Sequence, residues 1–234
     1  MGAEVHQPTA RADRDFQVPL DEVAGDLRRS RPRLLFLCNP NNPTGVLLPP
    51  EPVLAWARDC PETLFVVDES YLAFASGARS VLHGDPENVL VLRSMTKDYA
   101  LAGLRLGYAV GHPEVVDALA RARPPWSVSA PAQAAGLAAL EDQAHLLRSL
   151  KLLAEAKRAL VEGLGRLGLE AVPSAANFFL VLVGNGAALR RALLQRGILV
   201  RDCASFGLPA YIRIATRQPE ENGRLLGAIA EVGL

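Results

Sequence analysis

The sequence predicts an α/β protein: a mainly parallel sheet flanked by helices, followed by a smaller C-terminal α/β domain. Strand-like and helix-like segments alternate along nearly the whole chain, which is the pattern of parallel β-α-β units. Clusters of polar residues come directly after the apolar strand segments, where open parallel sheets bind their ligands. Half of the 234 residues are hydrophobic, which is sufficient for a sizeable core.

Four strands are predicted in the first part of the chain, each from a short apolar run that ends in a turn. They are expected at residues 34–38, 64–67, 89–92 and 104–110. Helices are expected at residues 50–60, 114–123 and from about 131. Prolines near the start of the first of these helices cost little, because the first helical N–H groups have no partner within the helix.

A long leucine-rich helix over residues 144–167 leads into a smaller unit. That unit is predicted to contain strands at 178–183 and 211–215, and helices at 187–196 and from 219. We therefore place a domain boundary inside the long helix, which gives a first domain of residues 1–145 and a second of residues 146–234.

Composition and charge exclude several classes of protein. The formal net charge is zero, so no basic surface for nucleic acid or an anionic membrane is expected. No apolar run approaches the roughly 18 residues that a membrane-spanning helix needs, and the first residues do not resemble a signal peptide. The three cysteines are far apart and predict neither a metal site nor a disulfide framework. A cytoplasmic location fits these features best.

Lysine is rare, which makes Lys97 the first candidate for chemistry. The chain has three lysines and otherwise uses arginine, whose guanidinium stays protonated and cannot act as a nucleophile. Lys151 and Lys157 are expected to be solvated residues of the long helix. Lys97 instead follows a predicted buried strand and precedes a glycine-containing segment, so we interpret it as a reactive amine.

Three further polar side chains are predicted at the same edge of the sheet as Lys97. Asn42 lies in the segment NPNNPTG, which follows the first strand, while Asp68 and Tyr71 follow the second strand. A carboxylate directly after a buried strand is costly unless it caps a backbone group or faces a cation. Taken alone, each of these features is also compatible with an ordinary turn, a structural cap or a core aromatic.

Serine and arginine residues add a candidate anion site. Ser94 and Arg105 lie on either side of Lys97 along the chain, and such groups suit a phosphate because arginine binds it bidentately. Arg213 alternates with two isoleucines on a predicted strand, and Arg201 opens a short Arg-Asp-Cys segment. Alone, these arginines are as well explained by solvent exposure or a local ion pair. Together with an amine, a carboxylate, an asparagine and a tyrosine, they are the groups that a pyridoxal 5′-phosphate site requires.

Three motifs, in this order and at this spacing, resemble those of class I/II aminotransferases, the fold-type I pyridoxal-phosphate enzymes. They are NPNNPTG at residues 39–45, VDESY at 67–71, and SMTK at 94–97 followed by LAGLRLGY at 101–108. The resemblance covers nearly the whole chain, and it implies that pyridoxal 5′-phosphate is the cofactor.

The resemblance also implies a role for each matching residue. Lys97 is implied to form the Schiff base with the cofactor, Asp68 to pair with the pyridinium nitrogen, and Tyr71 to complete the catalytic set. The other implied ligands are Asn42 and Tyr71 for the ring hydroxyl, Ser94 and Arg105 for the phosphate, and Arg213, Arg201 and Asn177 for the substrate.

Two branches of the family are similar to this chain, the histidinol-phosphate aminotransferases and the threonine-phosphate decarboxylases of cobalamin biosynthesis. Residues 96–100 and 201–203 favour the decarboxylase branch, whereas residues 101–104 favour the aminotransferase branch. Because transamination is the commoner activity, we expect an aminotransferase that acts on an amino acid or phosphorylated amine and a 2-oxo acid. The decarboxylase is the alternative, since the two reactions differ in which bond at Cα lies perpendicular to the cofactor ring.

The beginning of the chain departs from the family pattern. Its first residues resemble a strand well inside the large domain, so about the N-terminal third of a family member is expected to be absent. That part of the family normally supplies phosphate-binding amides, an aromatic residue stacked on the ring, and contacts of the homodimer. An inactive truncated remnant is therefore a further alternative. A nucleotide-binding α/β domain is disfavoured, because no GxGxxG follows a strand.

Overall fold

A four-stranded sheet forms the first half of the protein. The structure, a computed structural model, describes Gly2 and residues 4–233. The strands are β1 (Leu34–Cys38), β2 (Leu64–Asp68), β3 (Val89–Ser94) and β4 (Gly107–Gly111), in that spatial order. The first three are parallel and β4 is antiparallel to β3, so the predicted mainly parallel sheet flanked by helices is confirmed.

The core of this half lies on one face of the sheet. Its helices are α1 (Leu20–Ser30), α2 (Pro50–Asp59), α3 (Pro113–Ala122) and α4 (Ala130–Glu141). Phe65, Val67 and Val91 alternate with residues of the other face and are completely buried in a cluster that includes residues of α1 and α2. The opposite face is open near β1, where Phe36 is 73% exposed.

A second, antiparallel sheet follows the longest helix. This helix, α5, spans Gln143–Arg166, and after it come β5 (Phe178–Leu182), α6 (Gly186–Leu194), β6 (Arg201–Asp202), β7 (Tyr211–Ala215) and α7 (Pro219–Val232). The strands lie in the order β5-β7-β6. Leu160 and Leu164 of α5 pack against Phe179 and Ile212 of the sheet in one buried cluster. The domain boundary near residue 145 falls inside α5 and stays a prediction.

Several element boundaries differ from those that the sequence indicates. Helix α1 and the two-residue strand β6 were not expected. Strand β4 begins at Gly107 rather than at residue 104, because Ala102–Leu104 form a short 3-10 helix. The expected strand at the beginning of the chain is wrong for the residues that are described there, since Gly2 and residues 4–10 have no strand structure. Within the described part of the chain, no helix is long and apolar enough to cross a membrane.

The expectation that Lys157 is solvated is wrong. Its amine donates hydrogen bonds to the carbonyl oxygens of Ser174 and Ala176, both at 2.6 Å, whereas Lys151 is exposed as expected. Lys157 lies seven residues from both Leu150 and Leu164, so it belongs to the apolar face of α5. Burial lowers the pKa of its amine to about 8, because a charged group loses hydration inside a protein.

We expect this lowered pKa to appear in the pH dependence of stability. The folded chain releases the Lys157 proton near pH 8, whereas an unfolded lysine holds it until about pH 10.4. In that interval the unfolded state binds more protons, so raising the pH stabilises the folded protein. The effect is below ~1.4 kcal/mol per pH unit, since the side chain is only partly buried. Urea denaturation between pH 7.5 and 10 should show the wild type gaining stability relative to Lys157→Met. Parallel curves for the two proteins contradict the lowered pKa.

Candidate active site

Asn42 lies in the loop after β1, residues 39–45, and neighbouring side chains hold the structure of this loop. Asn39 is buried, and its side chain both donates to and accepts from the backbone of Leu48, each bond being 2.8 Å. Asn41 donates to the hydroxyl of Thr44 at 2.9 Å. These bonds fix the loop locally, as asparagine side chains commonly do in turns. Asn42 is left to face the second half of the molecule.

Asn42 meets Arg213, which comes from the other sheet. The guanidinium of Arg213 donates from Nη1 to Oδ1 of Asn42, and its Cζ lies 4.9 Å from the centroid of the Phe178 ring. This stacking is a favourable cation–π arrangement. The Nε of Arg213 is buried and has no hydrogen-bond partner within the protein. A group with unused donor capacity in such a position is suited to a carboxylate ligand.

Asp68 and Tyr71 stand at the end of β2, where the sequence predicts them. Asp68 is paired in register with Cys38 of β1 and Leu92 of β3, so the ends of the parallel strands are aligned there. One oxygen of Asp68 accepts from the backbone N–H of Ser70 at 2.9 Å. Burial raises the pKa of Tyr71, although the charge of Arg213 acts in the opposite direction. The Tyr71 hydroxyl is therefore protonated at neutral pH and can donate a hydrogen bond.

Lys97 lies beside Tyr71, after the end of β3. Its Nζ is 5.8 Å from the centroid of the Tyr71 ring, and its side chain is exposed. The Tyr71 ring in turn packs edge-on against Phe178, with 4.8 Å between the two centroids. An aromatic path therefore connects the amine of Lys97 with the guanidinium of Arg213. The amine, the carboxylate end of β2 and the guanidinium belong to one region of the surface.

Ser94 and Arg105 do not bind each other. The Ser94 hydroxyl is 2.7 Å from that of Thr96, and Arg105 is exposed and donates to the carbonyl of Ala102 at 3.0 Å. Arg105 has a positive φ of 55°, an uncommon conformation for a residue with a side chain. The backbone nevertheless brings the two segments together, since Ser94 pairs with Gly107 between β3 and β4.

The remaining predicted substrate residues lie on the Arg213 side. Arg201 of β6 is directly opposite Arg213 of β7 in the sheet register. It is exposed, donates to Ser205 at 2.9 Å and lies 5.5 Å from the Phe206 ring centroid. Asn177 precedes Phe178, and its Oδ1 is buried without a hydrogen-bond partner in the protein. Arg201 thus adds a second guanidinium beside Arg213, and Asn177 adds an oxygen without an internal partner.

Glu69 and Arg93 form a buried ion pair that the sequence analysis missed. The Glu69 side chain is fully buried, and its Oε2 lies 2.7 Å from Nη2 of Arg93. Glu69 also accepts from the hydroxyl of Ser80 at 2.7 Å and from the N–H of Val81 at 3.0 Å. The sequence does contain a signal for this pair. Successive side chains of a strand point to opposite faces, so Asp68 and Glu69 do as well. One of two successive carboxylates after a buried strand must therefore find a partner in the interior.

The fold is that of an α/β protein with an amine, a carboxylate and a guanidinium in one region of its surface. The family model described as aminotransferase class I and II matches residues 1–229. The chain therefore belongs to that family, as its motifs predict.

Individual relatives point to one branch of the family. The chain is 42% identical over 226 residues to histidinol-phosphate aminotransferase 1 of Thiobacillus denitrificans, covering 94% of this chain and 59% of that protein. The crystal structure of histidinol-phosphate aminotransferase from Sinorhizobium meliloti in complex with pyridoxal 5′-phosphate is 33% identical, with a TM-score of 0.83 over 92% of this chain and 61% of that one.

A solved structure from the alternative branch is also similar. L-threonine-O-3-phosphate decarboxylase from Porphyromonas gingivalis is 31% identical, with a TM-score of 0.79 over 92% of this chain and 68% of that one. The chain is also 46% identical over 202 residues to the histidinol-phosphate aminotransferase of Symbiobacterium thermophilum, covering 84% of this chain. The chain spans 59% and 56% of the length of the Thiobacillus and Symbiobacterium enzymes.

We expect the Glu69–Arg93 pair to be important for stability. Glu69→Gln keeps the side-chain volume but leaves the partly buried Arg93 without its counter-charge, which should lower the free energy of unfolding by about 2–4 kcal/mol. The exposed Arg79–Glu51 pair is the matched control, and Glu51→Gln should cost below about 1 kcal/mol. Urea denaturation at neutral pH measures both. Equal, small losses for the two variants contradict a stabilising role of the buried pair.

Proposed function

We propose that this chain carries the active site of a pyridoxal-phosphate-dependent aminotransferase of the histidinol-phosphate branch. Its substrates in this proposal are an amino acid or a phosphorylated amine, and a 2-oxo acid. The observation that carries the proposal is the grouping of Lys97, Asp68, Tyr71 and Asn42 beside Arg213, in a chain that belongs to the class I and II family. The expected homodimer and cytoplasmic location stay predictions.

The donor set of the site fits the cofactor and an acidic substrate. When bound, pyridoxal 5′-phosphate supplies an electron sink for the bonds at the substrate Cα. Asp68 is the carboxylate that keeps a proton on the ring nitrogen, and Asn42 and Tyr71 are donors for the ring hydroxyl. Lys97, whose Nζ lies 5.8 Å from the centroid of the Tyr71 ring, is the amine that would carry a proton to and from the substrate Cα.

In this proposal, arginine residues bind the acidic groups of the ligands. The unpartnered Nε of Arg213 favours a bidentate bond to an anionic group of the substrate, which is the phosphate of histidinol phosphate or a carboxylate of the 2-oxo acid, and Asn177 lines the same side. Arg201, opposite Arg213, would attract a second anionic group such as a phosphate. Ser94 supplies a hydroxyl for the cofactor phosphate, and Arg105 would have to turn its guanidinium from Ala102 toward it.

Threonine-phosphate decarboxylation is the second candidate function. The similarity to the Porphyromonas gingivalis decarboxylase favours it, and a phosphorylated amino acid also suits two arginines. Both reactions need the same cofactor residues. They differ in whether the proton or the carboxylate leaves Cα, so orientation of the substrate by Arg213 decides between them.

Attachment of the cofactor tests the proposed role of Lys97. Incubation with pyridoxal 5′-phosphate should give a yellow protein, and borohydride should fix the cofactor on the peptide that contains Lys97, as identified by mass spectrometry. Lys97→Ala should abolish the attachment because it removes the amine. Lys151→Ala, which changes an exposed lysine, should not. Attachment at equal levels to Lys97→Ala rules the proposal out.

Product analysis distinguishes the candidate reactions. Histidinol phosphate with 2-oxoglutarate should yield glutamate, whereas threonine phosphate should release no carbon dioxide. Arg213→Met should raise KM for the amino donor about 10- to 100-fold, because one charge-assisted hydrogen-bonded contact contributes about 1.5–3 kcal/mol. Arg217→Met is the control, since Arg217 is exposed and paired with Glu221. Carbon dioxide without glutamate supports the decarboxylase instead, and neither product supports the inactive remnant.

A further inference from the structure

Lys157 contacts a hairpin tip rather than a charged partner. Backbone bonds join Val172 to Leu180 and Ala171 to Val181, so residues 173–177 form the tip of a hairpin that leads into β5. The amine of Lys157 reaches two carbonyl oxygens of this tip, those of Ser174 and Ala176. None of the ion pairs among the described residues includes Lys157. The other charged residues that line the adjoining cavity are Arg158 and Glu162.

The hairpin tip packs against the loop that contains Asn42, residues 39–45, which we call the Asn42 loop. The N–H of Ala175 donates to the carbonyl of Gly45 at 2.8 Å. A Cβ on Gly45 would stand 1.9 Å from the Ser174 hydroxyl, and Gly45 has a φ of +74°, a conformation that favours glycine. The Ser174 hydroxyl also binds the carbonyl of Phe178 and the N–H of Ala176. These bonds, together with the two from Lys157, leave the tip little freedom.

The same tip leads directly to the groups of the candidate site. Asn177 ends it, and the carbonyl of Asn177 accepts from the N–H of Thr216 next to β7. Phe178 follows at once and contacts both the Tyr71 ring and the Arg213 guanidinium. A displacement of the tip would thus move Phe178, the ring on which Arg213 stacks, whereas Lys97 is reached only through the Tyr71 ring.

We propose that Lys157 is a positioning residue, which holds the tip 173–177 against the Asn42 loop and so sets the place of Arg213 and Asn177 for the substrate. This inference rests on the proposed function, because it assigns Lys157 to the substrate side of that site. A single amine that donates to two carbonyls of one tight segment fixes its geometry more strongly than a surface contact. Removal of the amine leaves both carbonyls with lost hydrogen bonds in a half-buried place.

Two variants and one control separate positioning from a general loss of stability. Lys157→Met removes the donors and keeps an unbranched side chain of similar length. Lys157→Arg restores donors, and the adjoining cavity of about 480 Å³ has room for the larger head group. Lys151→Met changes an exposed lysine of the same helix and serves as the matched control.

The first measurement does not depend on activity. Hydrogen exchange of the Ala175 and Ala176 amides, which bind Gly45 and Ser174, should be at least tenfold faster in Lys157→Met than in the wild type. Lys157→Arg should restore most of the protection, and Lys151→Met should exchange like the wild type. Unchanged exchange in Lys157→Met overturns the proposal, because the tip would then be held without the amine.

The second measurement follows ligand binding by the cofactor absorbance. In Lys157→Met, the apparent affinity for histidinol phosphate should fall about tenfold. The loss for pyridoxal 5′-phosphate should be several-fold smaller, because the Asn42 loop keeps its own bonds to Leu48 and within the loop. Faster exchange with unchanged donor affinity, or an equal loss for both ligands, shows a merely structural role and overturns the proposal. A wild type that binds neither ligand contradicts the proposed function itself, and that outcome is recognised before any variant is compared.

Discussion

The buried carboxylate of Glu69 is the constraint on which the arrangement of the first sheet depends. It follows Asp68 at the end of β2, binds Arg93 of β3, and accepts from Ser80 and Val81 in the connection between the two strands. A fully buried charge is tolerated only when such partners surround it. The bonds therefore tie the end of β2 to the end of β3, and they fix Asp68 and Ser94, the immediate neighbours of the pair, on the opposite face.

The candidate site is completed only where the two halves of the protein meet. The first sheet contributes Lys97, Asp68 and Tyr71 from strand ends, as parallel sheets commonly do. The second half contributes Arg213 and Phe178, which reach Asn42 and Tyr71 respectively. The contacts between the halves include the side-chain hydrogen bond from Arg213 to Asn42, the aromatic edge of Tyr71 and Phe178, and the backbone bond from Ala175 to Gly45. The cofactor groups of the proposed function thus lie at and after the strand ends of the first sheet, and its substrate group Arg213 lies on a strand of the second.

Sequence reasoning located the strands and the polar clusters because both depend on local pattern. Apolar runs gave β1, β5 and β7 nearly to the residue, and the residues after them form the site. Sequence reasoning failed for side chains whose hydrogen-bond or ion-pair partner is distant in sequence. Glu69 and Arg93 are 24 positions apart and meet only through strand register. Lys157 was assigned to solvent because lysine usually is, although its spacing from Leu150 and Leu164 placed it on the apolar face. Helical periodicity was the better guide there.

Arg201 lies directly opposite Arg213 in the second sheet. This pair of guanidinium groups restricts the class of ligand more than any other feature of the site. Like charges directly opposite each other in a sheet are destabilising, and neither guanidinium belongs to an ion pair among the described residues. Each is instead held by an aromatic ring and a neutral polar side chain. Neutral partners leave both positive charges uncompensated, so a ligand with two anionic groups relieves the repulsion and a neutral amine does not. This argument favours a dicarboxylic or a phosphorylated carboxylic substrate, and it applies to both candidate reactions, because 2-oxoglutarate and threonine phosphate each carry two anionic groups. The choice between them must therefore come from how Arg213, through Asn42 and Phe178, orients the bonds at Cα.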